Sequence, residues 1–331
     1  PSGNEEIFVD SQLAEACRGN YSISGRRCTG GDGDAYPTLQ EASDALEAGP
    51  TILVREGVYH ELGVEDQHRG LISMRIMSDG EPTAPIWIRP YEDEEVVLNG
   101  AFSVADEEWA PCSGDLCDGL ATTDGVFTAA VPDSVTNFLD RGILAAFMFK
   151  NDGETVFKVA SDPTTVDAKA PNRREANWHS IPADGYTTTT IKDPSVFDRF
   201  SENGLEQAFI MVHSCNNNVK TFPIADYDPA TGTLTFDGDL ACADWIDPSK
   251  DTYKLFNIRE GLDDEDEVYI DLTDNKIFLK TSDELDNIEI SALNTAIEFR
   301  GKDNVIVEGL TIKGYAGQIS GLGSTAIANH N

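Results

Sequence analysis

The chain has 331 residues, 40% of them hydrophobic, enough to bury one large core or two ordinary ones, and its composition is not that of a disordered chain. Its 59 acidic and 24 basic residues give a formal charge of −35 spread along the whole length, which argues against nucleic acid as a partner because duplex binding needs a basic footprint. No apolar run is long enough for a membrane-spanning helix, and the acidic surface suits a marine or halophilic medium whose salt shortens the Debye length below about 8 Å.

In chain order, the first feature is the pair Cys17 and Cys28, which brackets a short polar loop; Cys112 with Cys117 and Cys215 with Cys242 repeat that arrangement. None has the spacing of a zinc site, so disulfides formed in an oxidising, extracellular compartment are expected. Asn20-Tyr-Ser is a single glycosylation sequon. Asp32-Gly-Asp34 reads as a turn, with an ion site as the alternative.

Leu39, Ala42, Ala45 and Leu46 recur at helical spacing, with Thr38 placed to cap the start and Gly49-Pro50 to end the helix. Thr51 to Val54 is then an apolar strand, and Gly57-Val-Tyr59 turns the chain; the aromatic residues Tyr59 and His60 are assigned to that turn and not to catalysis. Ile72 to Met77, Ile86 to Arg89 and Val96 to Asn99 follow as short β-branched strands separated by turn residues.

Between Gly100 and about Tyr253 the pattern changes, with four cysteines and candidate strands at Ala145 to Lys150, Ala208 to His213 and Thr233 to Phe236. Within it, "APNRREANWHS" gathers Arg173, Arg174, Trp178 and His179. Guanidinium groups beside an indole suit the binding of a sugar acid; the alternative is a surface loop with one buried Trp. Further on, the acidic run from Asp263 to Glu267 offers Asp263, Asp264 and Asp266 as ligands for Ca²⁺, or is a solvated turn.

The strand grammar of the opening returns at Ile288 to Ile290, Ala296 to Phe299, Val305 to Val307, Leu310 to Ile312 and Ala326 to Ala328. Two or three apolar residues per strand are too few for a sandwich and suit a solenoid with one narrow core. A helix over residues 38–48 would then cap its first rung and cover the open edge.

Two stretches carry a resemblance. "GDGDAYPTLQEASDALEAGPTILVREGVYHE" followed by "APIWIRPYEDEEVVLNGA" resembles the start of secreted right-handed parallel β-helix proteins of the pectate-lyase-like kind, found among glycoside hydrolases and polysaccharide lyases. The segment holding Asn257, Leu262-Asp263, Tyr269-Ile-Asp271 and Ile277-Phe-Leu279 is similar to the one by which such proteins return to the helix after an inserted β-domain. The resemblance implies an all-β chain: cap and first rungs over 1–100, an inserted disulfide-containing β-domain over 101–255, and a return over 256–331 that continues past the chain end. It also implies a secreted protein acting on an extracellular polysaccharide as hydrolase or lyase, with catalytic residues beyond Asn331. No catalytic residue is assignable, since chance carboxylate pairs abound and no Ser-His-Asp order or HExxH is present. The alternative is a non-catalytic extracellular adhesin, surface-layer or filament subunit, whose partner would be a second copy of itself.

Overall fold

The computed structural model describes residues 6–46, 50–66, 70–105, 108–133, 135, 148–150, 155–164, 178–214, 218–240, 246–247, 250–315 and 325–328. Arg173, Arg174, Cys215, Cys242 and the closing residues 329–331 lie outside them. The described chain is all-β apart from a few single-turn helices, and no described helix is long and apolar enough to cross a membrane. It forms two compact units, Pro1–Phe102 with Ser291–Gly317 and Ser324–Asn331, and Ser103–Ile290 with Gln318–Gly323.

The first unit is built from three stacks of strands. In stack one, Asp34–Tyr36, Glu6–Val9, Thr51–Val54, Ile86–Pro90 and Val305–Val307 lie side by side, all parallel. Stack two joins Gly57–Tyr59, Val96–Asn99 and Thr311–Lys313 in parallel. Stack three joins Gly70–Arg75, Thr295–Glu298 and Thr325–Ala328 in parallel, with Val64–Asp66 added antiparallel at its edge. From Thr51 onward the chain visits stacks one, two and three in turn, and does so three times, with the second unit interposed after Asn99.

The register of these strands explains their composition. Alternate side chains point to the same face, and on the inner face Ile7 is level with Ile52, Ile52 with Ile88, and Ile88 with Val307. Tyr59, Leu98 and Ile312 align likewise in stack two, and Met74 with Ile297 in stack three. These residues form one core with Leu39 and Ala42 of the helix. β-Branched residues recur because each must fill the same slot against a copy of itself one strand away.

The helix spans Leu39–Asp44, shorter than the 38–48 read from the sequence, with Thr38 Oγ1 accepting the Glu41 N–H at 3.2 Å. It buries Leu39, Gln40, Ala42 and Ser43 against stack three. Gln40 Oε1 accepts the Arg75 N–H at 2.7 Å and Ser43 Oγ donates to the Arg75 carbonyl at 2.7 Å, satisfying backbone groups that would otherwise be bare at the strand's end.

Where the chain leaves and rejoins this unit, Ala292 and Leu293 both donate their N–H to the Gly100 carbonyl, each at 3.0 Å. Gly100 is needed there for space: a Cβ would stand 2.6 Å from the Tyr315 ring.

The second unit is mostly antiparallel. Val126–Ala130, Lys276–Lys280 and Glu267–Asp271 pair in succession, and Val156–Val159 joins Glu267–Asp271 in parallel. A further sheet runs through Thr252–Phe256, Phe209–Ser214, Asn218–Asp228, Thr233–Phe236 and Thr190–Lys192. Residues 256–290, assigned to the return by the sequence reading, pair within this unit. Its core is aromatic and aliphatic, with Phe197, Ile210, Val212, Leu234, Tyr253 and Leu255 buried together.

Candidate functional site

On the outer face of stack one, Phe8, Leu53 and Arg89 are level with one another, and Glu308, whose N–H donates to the Ile88 carbonyl at 3.1 Å, follows directly after the next strand, Val305–Val307. The loop between the first two strands covers part of this row: Phe8 and Leu53 are buried with Cys17, Tyr21 and Ala35. The Cys17–Cys28 disulfide closes that loop. Beyond it the row is bare, leaving a concave space of 670 Å³ lined by Arg89, Tyr91, Glu92, Asp93, Glu94 and Glu308 among others.

A buried polar network braces one wall. Asp10 is fully buried and takes both Arg26 Nη2 at 2.6 Å and the Tyr21 hydroxyl at 2.7 Å. Burial works to raise the Asp10 pKa, but the Arg26 and Tyr21 hydrogen bonds outweigh it and the carboxyl is held below its ordinary value. Arg55 Nη1 donates to the Tyr21 oxygen at 2.8 Å, while its Nε and Nη2 grip Glu94 bidentately at 2.8 and 2.7 Å. The Arg55 guanidinium also lies 5.0 Å from the centre of the Tyr91 ring. Tyr91 and Glu94 are thus fixed in position, whereas Arg89, exposed, is held by a surface pair with Glu308 at 3.6 Å and by the Trp87 ring, 5.8 Å from its guanidinium. Fixed carboxylates, a guanidinium and an aromatic ring facing one concave space can hydrogen-bond hydroxyls and stack on an apolar ring face.

The second unit holds a separate polar cluster. Asp162 is buried and pairs with His179 Nε2 at 3.1 Å and with the Arg199 guanidinium. Burial would raise its pKa, yet these two partners lower it on balance, so it orients the imidazole and is no free base. His179 stacks 5.3 Å from Tyr253, whose hydroxyl donates to Asp193 at 2.8 Å.

Of the loop residues singled out in the sequence, Trp178 is 5% exposed, with Nε1 unpartnered among the described residues, so its ring is core and not a stacking surface. His179 keeps a partly exposed edge. Cys112 pairs with Cys117. Asn20 is exposed, its amide 3.3 Å from the Cys28 carbonyl. Asp32 and Asp34 accept the Ile23 and Gly19 N–H groups and act as loop ties. Tyr59 is buried with its hydroxyl on the Arg55 carbonyl at 2.8 Å, and His60 Nδ1 lies 2.8 Å from the Ala101 carbonyl.

In the acidic run, a carboxylate oxygen from each of Asp263, Asp264 and Glu267 lies within 4.8 Å of the others. Asp266 is outside the group: its backbone is left-handed at φ 60°, and Oδ1 accepts the Thr281 hydroxyl at 2.8 Å. Burial pushes Glu267 up to about 7 against the pull of two backbone hydrogen bonds, and burial followed by the Asp264 charge raises Asp263. The groove residues Tyr91 and Glu94 carry no sequence signal, and of the Asp162 cluster only His179 carries one, because their partners are brought in from distant segments.

No family model matches the chain. A stretch of 74 residues, 22% of the chain, is 40% identical to the uncharacterized protein YwoF of Bacillus subtilis (strain 168), and covers 13% of that protein. Among solved structures, a glycoside hydrolase superposes with a TM-score of 0.56 at 17% identity, covering 94% of this chain and 51% of that one. The complex of XylC with xylose gives a TM-score of 0.40 at 12% identity, covering 96% and 36% respectively. The chain therefore spans about half the length of that glycoside hydrolase, and the likeness is one of fold.

Proposed function

We propose that the first unit is the opening part of a right-handed parallel β-helix, and that the chain belongs to a secreted protein that binds an extracellular polysaccharide along the outer face of stack one. The observation that carries this reading is the groove at Arg89, Tyr91, Glu94 and Glu308, set on three parallel circuits. The fold likeness to a glycoside hydrolase supports it, as do the two disulfides among the described residues, which form in oxidising compartments. In the whole protein the reaction is glycoside hydrolysis or lyase cleavage.

The charge of the groove narrows the ligand. Glu6, Glu92, Asp93, Glu94 and Glu308 line it against Arg89 as the one cation among its lining residues, so a polyuronate is repelled and a neutral glycan fits. The segment with Arg173, Arg174 and His179 is a secondary sugar contact in this reading, with Trp178 supporting it from the core.

Affinity electrophoresis of the native protein in gels carrying neutral glucans, xylans and mannans, with polygalacturonate and alginate as the charged set, tests the assignment. Retardation by a neutral polysaccharide, weakened about tenfold in Tyr91→Ala as expected for loss of a ring contact, is the expected result. No retardation by any neutral polymer, or equal retardation of the variant, sinks it.

A further inference from the structure

The turn from Asp263 to Glu267 belongs to the second unit, shares no residue with the groove, and its geometry is independent of any sugar. Glu267 opens the strand Glu267–Asp271 and is fully buried. Its Oε2 accepts the N–H of Asp263 at 3.2 Å and of Asp264 at 3.0 Å, so the carboxylate sits inside the turn. Its Oε1 is equally buried and has no hydrogen-bond partner among the described residues. A buried carboxylate oxygen left bare carries a desolvation penalty that native folds rarely leave uncompensated.

We infer that this turn binds one hard divalent cation, calcium by its donor set, through Asp263, Asp264 and the buried Glu267. All three donors are carboxylate oxygens, the ligands that Ca²⁺ prefers and that zinc and copper sites seldom use alone. Two oxygens on one Ca²⁺ at about 2.4 Å lie at most about 4.8 Å apart, and the three carboxylates here satisfy that limit. The turn is held before any ion arrives: Lys158 N–H donates to the Asp266 carbonyl at 2.7 Å, and Asp266 N–H to the Lys280 carbonyl at 2.8 Å. Exposed Asp263 and Asp264 leave the remaining positions to water, as calcium sites in extracellular modules commonly do. The cations that act on the site are Arg199, already paired with Asp162, and Lys158, and neither bonds the bare oxygen.

A chain of charge −35 attracts calcium diffusely, so the test must separate one site from an atmosphere. The full chain with its disulfides intact, stripped with EDTA, is titrated with CaCl2 in about 0.5 M NaCl to suppress diffuse binding, and followed by calorimetry and thermal melting. The wild type is expected to bind one Ca²⁺ saturably with a Kd of about 10⁻⁴ to 10⁻³ M and to melt higher when loaded. Asp263→Asn/Asp264→Asn and Glu267→Gln are expected to weaken that binding about tenfold or more. The glutamine keeps an oxygen for the two backbone N–H groups and the asparagines are exposed, so both variants retain the fold. An identical response in wild type and both variants, or no saturable binding, overturns the assignment. Equal affinity for MgCl2 overturns the choice of calcium.

Discussion

In the first unit a column of near-identical aliphatic side chains crosses four parallel strands, whereas the core of the second unit is packed from unlike side chains. The column Ile7, Ile52, Ile88 and Val307 is the first case. The second is seen where Phe197 touches both Tyr227 and Tyr253 in a cluster shared with Ile210, Leu234 and Leu255. That column is held by contacts between neighbouring strands of one stack, inside a core that the helix and the other two stacks share. In the second, a shared core makes the loss of one ring a matter for the whole.

The largest break in that comparison is Ile88→Ala. Ile88 is flanked in register by Ile52 and Val307, so the cavity severs the column, and a loss of about 2–5 kcal/mol is expected. Denaturant unfolding followed separately by proteolysis of each unit should show the first unit opening earlier and the second unchanged. A single common shift would mean that the two units unfold as one.

Next come the two disulfides among the described residues, Cys17–Cys28 in the first unit and Cys112–Cys117 in the second. Cys17 and Cys28 are 11 residues apart and Cys112 and Cys117 are 5 apart. Loop-closure entropy predicts that removing the first pair costs roughly 3 kcal/mol and the second roughly 2. Paired Cys→Ala variants measured under non-reducing conditions check the order. The first variant should also lose the cover over Phe8 and Leu53, read as dye binding, while the second should not.

The last is a pH dependence carried in the first unit by Glu61. Glu61 accepts the Leu39 N–H at 2.7 Å, and burial lifts its carboxyl to about 8 from 4.5. The folded state thus holds this proton more tightly than the unfolded chain does. Its contribution is intact below about pH 4.5 and is lost as pH rises through about 8. Thermal melts from pH 5 to 8 should fall more steeply for the wild type than for Glu61→Gln, and parallel curves would remove Glu61 from the account.

Much of the first unit was legible because its signals are local. Thr38 caps the helix, Thr51–Val54 is a strand, and Val96–Asn99 ends at a glycine that the Tyr315 ring demands. The pairing of Cys17 with Cys28 and of Cys112 with Cys117 followed from loop length alone. What was not legible depends on contacts between distant segments. Asp10 looks like any acidic residue until Arg26 and Tyr21 fold onto it. The acidic run was read with Asp266 as a ligand, but a left-handed backbone at that residue swings its side chain to Thr281 and leaves Glu267 to point into the turn. No run of identical charges records which member turns inward. The segment after residue 255 misled for a related reason: its strands carry the same apolar pattern whether they extend a stack or pair among themselves.

The two N–H groups that converge on the Gly100 carbonyl have a consequence for how this molecule could have grown. The polypeptide departs and comes back within a hydrogen bond's reach, so lengthening what hangs between costs the strands on either side little. Such a junction works as a socket: any module whose ends meet could be plugged in, enlarged or exchanged there while the strands on either side kept their register.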